Sequence, residues 1–284
     1  MSRRVLITGC SSGIGQATAL RLAGAGYTVY ASARKLQDLE VCRQAGCRCL
    51  TLDVTSEESM VTAVEAVEGG VEVLVNNAGY SLSGALEQLD MAALRRQFET
   101  NVFGLVRLTQ LVLPGMRDQG WGRVINLSSM GGELTFPGGG AYHATKHAVE
   151  ALSDALRFEV AGFGIQVVVI QPGLIFTEFS DRVASQMEPD PPPGPYQKFQ
   201  KAVRDITQSA YTTGPMARFG GPPEAVAAVI EKAIRAKKPR TRYPVTASAH
   251  LMMLTRSMLS DRLWDLMMKT IYPSPVSDSP RDVV

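Results

Sequence analysis

Short apolar runs alternate with longer amphipathic stretches over the first 173 residues of the 284-residue chain. The runs fall at 4–8, 27–33, 48–53, 71–76, 123–128 and 165–171, each of a length that suits a buried strand. Between them lie helical patterns at about 14–25, 36–45, 56–68, 91–117 and 142–162. Ser56, with Ser59 three residues on, offers a weak N-cap signal for the third of these. In the last, Ala141, Ala144, Ala148, Ala151 and Leu152 recur at three- and four-residue spacing, which predicts one buried stripe. Strands separated by helices of this length imply right-handed βαβ units and a parallel, doubly wound sheet with helices on both faces.

Beyond residue 174 the alternation breaks. The segment EPDPPPGP at 188–195 excludes continuous helix or central strand. Helices are predicted near 196–212 and from Pro223 to about Lys237, and a seventh strand at 241–245. Residues 247–272 are rich in Leu and Met and read as a helix pair or one bent helix, and 273–284 as a frayed tail. No linker or long repeat divides the chain, so the expectation is one domain over 1–284, with 174–216 as a lid and 246–284 as a helical extension.

Composition narrows the class. With 45% hydrophobic and 20% charged residues the chain is of ordinary globular type, and a net charge of +2 makes no case for nucleic acid. No run reaches the ~18 apolar residues of a membrane span, and the apolar run behind Met1 is too short for a signal peptide. Cys10, Cys42, Cys47 and Cys49 lack the paired spacing of a zinc site, so no metal is expected, and unpaired thiols fit a cytoplasmic protein.

Two stretches carry chemistry. GCSSGIG at 9–15 joins the first strand to the first helix. There the glycines allow a pyrophosphate to approach the backbone, and the helix N-terminus supplies N–H groups. In YHATK at 142–146, Tyr142 and Lys146 lie one turn apart on one helix face. A fixed ammonium near a phenol favours the phenolate, so a tyrosine placed this way can exchange a proton with an alcohol or carbonyl oxygen. His143 and His147 point elsewhere and carry no assigned role.

These pieces together resemble the short-chain dehydrogenase/reductase family over nearly the whole chain: Thr8 with the 9–15 turn, NNAG at 76–79, Asn101, Ser129 thirteen positions before Tyr142, the Tyr142/Lys146 pair, and Pro172-Gly173 followed by Thr177. The resemblance implies a Rossmann fold. It also implies Tyr142 as the acid or base, Lys146 lowering its pKa and binding the nicotinamide ribose, Ser129 polarising the substrate oxygen, and Asn101 holding a water on the proton path. Ser129 and Ser128 adjoin at a strand end, so only one faces the pocket; the family spacing selects Ser129.

For the cofactor, the resemblance places the phosphates on Gly9, Gly13, Gly15 and Ser11 or Ser12. It sets Ile14 at the nicotinamide side, Asp53 and Val54 beside the adenine, and Asn76, Ala78 and Gly79 along the adenosine ribose. Pro172 and Thr177 close the site, Thr177 at the carboxamide. After the second strand, where a carboxylate would bind the ribose hydroxyl of NAD, stand Ala33, Arg34 and Lys35. Arg34 suits the 2′-phosphate of NADP, so NADP(H) is the expected cofactor, with NAD(H) possible.

Within the family the chain looks like the 17β-hydroxysteroid and retinol dehydrogenase-like branch. That implies a large apolar alcohol or carbonyl as the small-molecule substrate, a lid in which Phe176, Phe179, Met187, Tyr196, Phe199, Tyr211 and Met216 are candidate lining residues, and a homodimer or homotetramer paired through the helices near 91–117 and 141–161. Packing is the default role of 247–272, ahead of an interface or a membrane surface. Two rival readings are a non-catalytic NADP-binding regulator and a sugar-nucleotide epimerase or dehydratase. The first has no need of the full Asn–Ser–Tyr–Lys set. The second usually carries a differently spaced glycine turn and a larger C-terminal domain.

Overall fold

The computed structural model describes residues 2–177, 191 and 193–275. Seven strands, β1 Arg4–Ile7, β2 Thr28–Ala33, β3 Arg48–Thr51, β4 Val73–Asn76, β5 Gly122–Leu127, β6 Ile165–Pro172 and β7 Arg242–Val245, form one parallel sheet in the order β3-β2-β1-β4-β5-β6-β7. The helices in chain order are α1 Gly13–Gly24, α2 Glu40–Gln44, α3 Glu57–Glu65, α4 Met91–Phe98, α5 Gly104–Asp118, α6 Gly140–Glu159, α7 Gln197–Tyr211, α8 Pro223–Arg235, α9 Ala247–Met258 and α10 Asp261–Ile271.

Both sheet faces are covered, which is why the strands read as continuous apolar runs. Successive side chains leave a strand on opposite sides. Val5 and Ile7 of β1 and Val73 and Val75 of β4 pack with α1, α2 and α8, whereas Leu6 and Leu74 pack with α3 and α5. β7 lies at the sheet edge and contains Pro244, whose missing N–H is tolerated there. The strand order reverses between β1 and β4, so a crevice opens beyond their carboxyl ends. Ser56 caps α3, its hydroxyl accepting the Ser59 N–H at 3.3 Å.

Three expectations change. The stretch 91–117 is not one regular helix: α4 and α5 are joined by a π-helical turn, Glu99–Phe103, that contains Asn101. The buried stripe of α6 is only in part the alanine stripe, with Ala141 buried and Ala148 half-buried. Thr145, Lys146, Val149, Glu150 and Ser153 face inward, while Ala144, Ala151 and Leu152 are exposed and Phe158 is 89% exposed. Finally, 247–272 is two helices. Trp264 and Met268 of α10 pack on Leu134, and the Trp264 Nε1–H donates to the Thr135 carbonyl at 3.3 Å. Leu254 and Met258 of α9 remain exposed.

Candidate active site

The glycine-rich turn begins where β1 ends. Gly9 and Gly13 adopt φ of 72° and 59°, in the left-handed region that side chains disfavour. Gly15 is required for a different reason. A Cβ there would sit 2.2 Å from the Gly9 carbonyl oxygen and 2.5 Å from Asn77 Nδ2. Ser12 stands at the N-terminus of α1, and the first turn of that helix carries no acidic residue. Ser11, Ser12 and Ile14 are half-buried along this turn. A Cβ on Gly13 would meet the Thr177 side chain at 3.4 Å, so Thr177 faces the turn.

Thr8 and Asn77 hold the turn against β4. Thr8 Oγ1 accepts the N–H groups of Asn77 and Ala78 at 3.0 and 2.9 Å. Asn77 Nδ2 donates to the carbonyls of Thr8 and Gly9 at 2.9 and 3.0 Å. Their membership of the matched motifs was the available signal. Asn76, by contrast, does not form a ribose wall with its side chain. It is buried, and its Nδ2 donates to Thr109 and Asn126 at 3.0 and 2.9 Å, inside the sheet layer.

At the end of β2, Ala33 is buried and Arg34 and Lys35 are exposed. Asp53 turns its carboxylate onto Thr55, accepting from the amide at 2.9 Å and the hydroxyl at 2.7 Å, with buried Val54 beside it. A Cβ on Gly104 would lie 2.3 Å from the Val54 carbonyl oxygen, so the start of α5 packs directly under that loop.

The reactive groups gather beyond β5 and β6. Ser129 follows β5 and hydrogen-bonds Tyr142, near the mouth of α6. The Ser129 hydroxyl also lies 3.5 Å from the Pro172 carbonyl at the end of β6. Ser128 points the other way, its buried Oγ lying where a Cβ on Gly132 would come within 2.5 Å. Lys146 is buried, and its ammonium donates to the Leu127 carbonyl at 2.7 Å and lies 5.6 Å from the Tyr142 ring centre.

Electrostatics amend the expected tuning. Burial pushes the Tyr142 phenol well above its ordinary pKa, the neighbouring Tyr211 adds to the rise, and the Ser129 hydrogen bond opposes it. Burial pushes Lys146 down to about 8, against the opposing charge of Glu150. The phenol is therefore held protonated, a state suited to an acid. His143 is a buried neutral histidine, pushed down to about 4 by burial first and then by His147. Its Nδ1 accepts the Phe136 N–H at 3.3 Å, which fixes the loop before α6.

Asn101 is also more committed than expected. Its Nδ2 donates to the Tyr80 carbonyl at 2.8 Å and to Thr145 Oγ1 at 3.1 Å, and its Oδ1 accepts the Tyr80 N–H at 3.1 Å. Only the second lone pair of Oδ1 remains for a water. The residue ties the turn after β4 to the first turns of α6, and the π-helical turn is what carries it there. A Cβ on Gly79 would lie 3.1 Å from Asn101 Oδ1, so that glycine lets the two approach.

Over the site, α7 packs Phe199 and Val203 against Ala85, with Tyr196 and Tyr272 alongside. A Cβ on Gly138 would meet Val203 at 2.5 Å. Phe176 is exposed and reaches Gly220, while Phe179 and Met187 lie outside the described residues.

Residues 3–188 match the family model for short chain dehydrogenase. The chain belongs to the short-chain dehydrogenase family. It is 38% identical over 269 residues to the uncharacterized oxidoreductase YbbO of Escherichia coli (strain K12), covering 93% of each chain. It is 37% identical over 214 residues to retinol dehydrogenase 8 of Homo sapiens, covering 72% of this chain and 69% of that one. The structure also superposes, with a TM-score of 0.72 and 26% identity, on the closed form of a serine dehydrogenase complexed with NADP+, covering 86% of this chain and 94% of that one. This member of the family is thus an oxidoreductase with a seven-stranded Rossmann-type sheet. No helix among the described residues is long and apolar enough to cross a membrane, and no group of metal-ligating side chains forms among them.

Proposed function

We propose that the protein is an NADP(H)-dependent oxidoreductase that interconverts an apolar alcohol and its ketone or aldehyde, with Tyr142 as the proton donor to the substrate oxygen. The observation that carries this reading is the hydrogen-bonded Ser129–Tyr142 pair, set in front of the buried Lys146 ammonium and beside the glycine turn. Gly9, Ser11, Ser12, Gly13 and Gly15 would hold the cofactor phosphates, because the turn presents bare backbone where a Cβ would clash. Arg34 would meet the 2′-phosphate, Asp53 and Val54 the adenine, Ala78 and Gly79 the ribose wall, and Ile14, Pro172 and Thr177 the nicotinamide end. The NADP+ bound by the serine dehydrogenase and the alcohol named for retinol dehydrogenase 8 support the cofactor and substrate class.

When bound, the cofactor supplies the hydride. The protein does the rest. Ser129 donates a hydrogen bond to the carbonyl oxygen as negative charge develops there. Tyr142, held protonated by its buried surroundings, delivers its proton to the same oxygen. The Lys146 ammonium then lies close to the tyrosinate that remains and favours it. In the oxidation direction the same groups act in reverse. Around them, Phe199, Val203 and Phe176 offer an apolar surface that would exclude water.

The test is consumption of NADPH with a panel of apolar carbonyls, including steroid ketones, retinal and long-chain aldehydes. Turnover with one or more of them is expected; tight NADPH binding with no turnover across the panel would favour a regulatory protein instead. Cofactor choice has its own test. Two charge-assisted bonds from Arg34 are each worth about 1.5–3 kcal/mol. Arg34→Asp should therefore weaken NADPH binding by roughly tenfold or more and spare NADH, as measured by fluorescence titration; an unchanged NADPH affinity would remove Arg34 from the site.

A further inference from the structure

Behind Lys146, on the side away from Tyr142, the inward face of α6 continues into a buried charged cluster. Tyr142, Lys146 and Glu150 are spaced by four, so they form one row along the helix. Glu150 is only 6% exposed. Its Oε2 accepts from Arg242 Nε of β7 at 2.9 Å, and its Oε1 from Gln171 Nε2 of β6 at 3.0 Å. Gln171 Nε2 also donates to Glu133 at 2.6 Å, and Arg242 reaches Asp154 at 2.6 Å and Glu133 at 3.7 Å. Asp154 in turn pairs with Arg157 at 2.7 Å. A Cβ on Gly132 would lie 2.9 Å from Glu150 Cγ and 2.5 Å from Ser128 Oγ, so the loop after β5 closes over the carboxylate.

Gln171 of β6 and Arg242 of β7 thus spend their polar groups on fixing one buried carboxylate of α6. A buried ion pair is a poor device for stability alone, because desolvation offsets the attraction. This carboxylate sits one turn behind a buried ammonium that needs to stay charged, and it is the acidic group that opposes the effect of burial on Lys146. Among the described residues, Lys146 also faces the Tyr142 phenol on its own helix and the Leu127 carbonyl of β5, and the charged groups clustered on Glu150 are Arg242, Asp154 and Glu133.

We propose that Glu150, locked by Arg242 and Gln171, is a positioning residue that serves as the buried counter-charge to Lys146 and keeps its ammonium available to Tyr142. This rests on the reading of Tyr142 and Lys146 given above. Loss of the carboxylate charge leaves burial unopposed, so Lys146 gives up its proton at lower pH. The alkaline fall in activity then moves to lower pH.

The experiment is the pH profile of kcat/KM for NADPH-dependent carbonyl reduction, with melting temperature and NADPH affinity measured alongside. Glu150→Gln, which keeps the shape and most hydrogen bonds, should shift the alkaline limb down by about 1 pH unit. Activity near pH 8 should drop roughly fivefold while the plateau below about pH 6 is retained. Glu150→Asp should restore the limb in part. Arg242→Gln, which removes the cation that compensates Glu150, should shift the limb the opposite way, to higher pH, and serves if Glu150→Gln does not fold. An unmoved limb, whether activity is unchanged or falls uniformly at all pH values, would overturn the proposal and leave Glu150 as a strut between α6 and β7. Lys146→Met separates the two readings. Activity lost at every pH is what the reading of Lys146 requires, and wild-type activity in that variant would overturn that reading itself.

Discussion

Tyr142→Phe should lose carbonyl reduction by roughly 10²–10⁴-fold while binding NADPH as the native protein does. The change removes one oxygen from a half-buried ring, so little packing is lost. What disappears is the only phenol hydrogen-bonded to Ser129 among the described residues, and with it the proton for the substrate oxygen. Because burial holds that phenol protonated, the native enzyme has its acid in place across the neutral range. Steady-state rates with an apolar carbonyl, together with a cofactor titration of the variant, measure both halves of the statement. A rate within tenfold of native would move the proton source elsewhere, and lost cofactor binding would mean that Tyr142 acts through the fold.

Gly15→Ala should nearly abolish cofactor binding and lower stability by about 1–3 kcal/mol, as overpacking does. The added Cβ would lie 2.2 Å from the Gly9 carbonyl oxygen and 2.8 Å from the Gly9 carbonyl carbon. Both are backbone atoms of the turn, so relief requires the turn to move off Asn77 and Thr8. Gly24, at the far end of the same helix, is the internal control. A Cβ there meets nothing within 4 Å, so Gly24→Ala should leave binding intact and gain up to about 1 kcal/mol. Thermal melts and NADPH titrations of the pair decide it. Equal behaviour of the two variants would contradict the account of the turn.

Much of this was legible in the chain. The six leading strands and the seventh are apolar runs because both sheet faces are covered, and the glycine turn and the Tyr142/Lys146 spacing are short-range features that survive without an alignment. Three things were hidden, each for a physical reason. The inward side of α6 carries Lys146, Glu150 and Ser153 beside Ala141 and Val149, so hydrophobic periodicity finds the buried stripe only in part. The π-helical turn at Asn101 inserts one residue into a stretch whose composition suits an uninterrupted helix, and only the tertiary bonds to Tyr80 and Thr145 reveal it. Asn76 and Asn77 adjoin at a strand end, where alternation sends one into the sheet layer and the other to the turn, and the motif alone does not say which. Arg123 is a further case: a fully buried arginine that donates to the carbonyls of Ala233, Ile234 and Ala236 at the end of α8, with nothing in its local sequence to mark it as interior.

The most direct test of the central claim is isotope transfer. The native protein is incubated with an apolar carbonyl and NADPH that carries deuterium at both C4 positions of the nicotinamide, and the alcohol is weighed by mass spectrometry. The account predicts an alcohol heavier by the difference between deuterium and hydrogen, formed faster with NADPH than with NADH and at least about a hundredfold more slowly with Tyr142→Phe. An unlabelled alcohol, or no alcohol from any apolar carbonyl while NADPH is tightly bound, would contradict it.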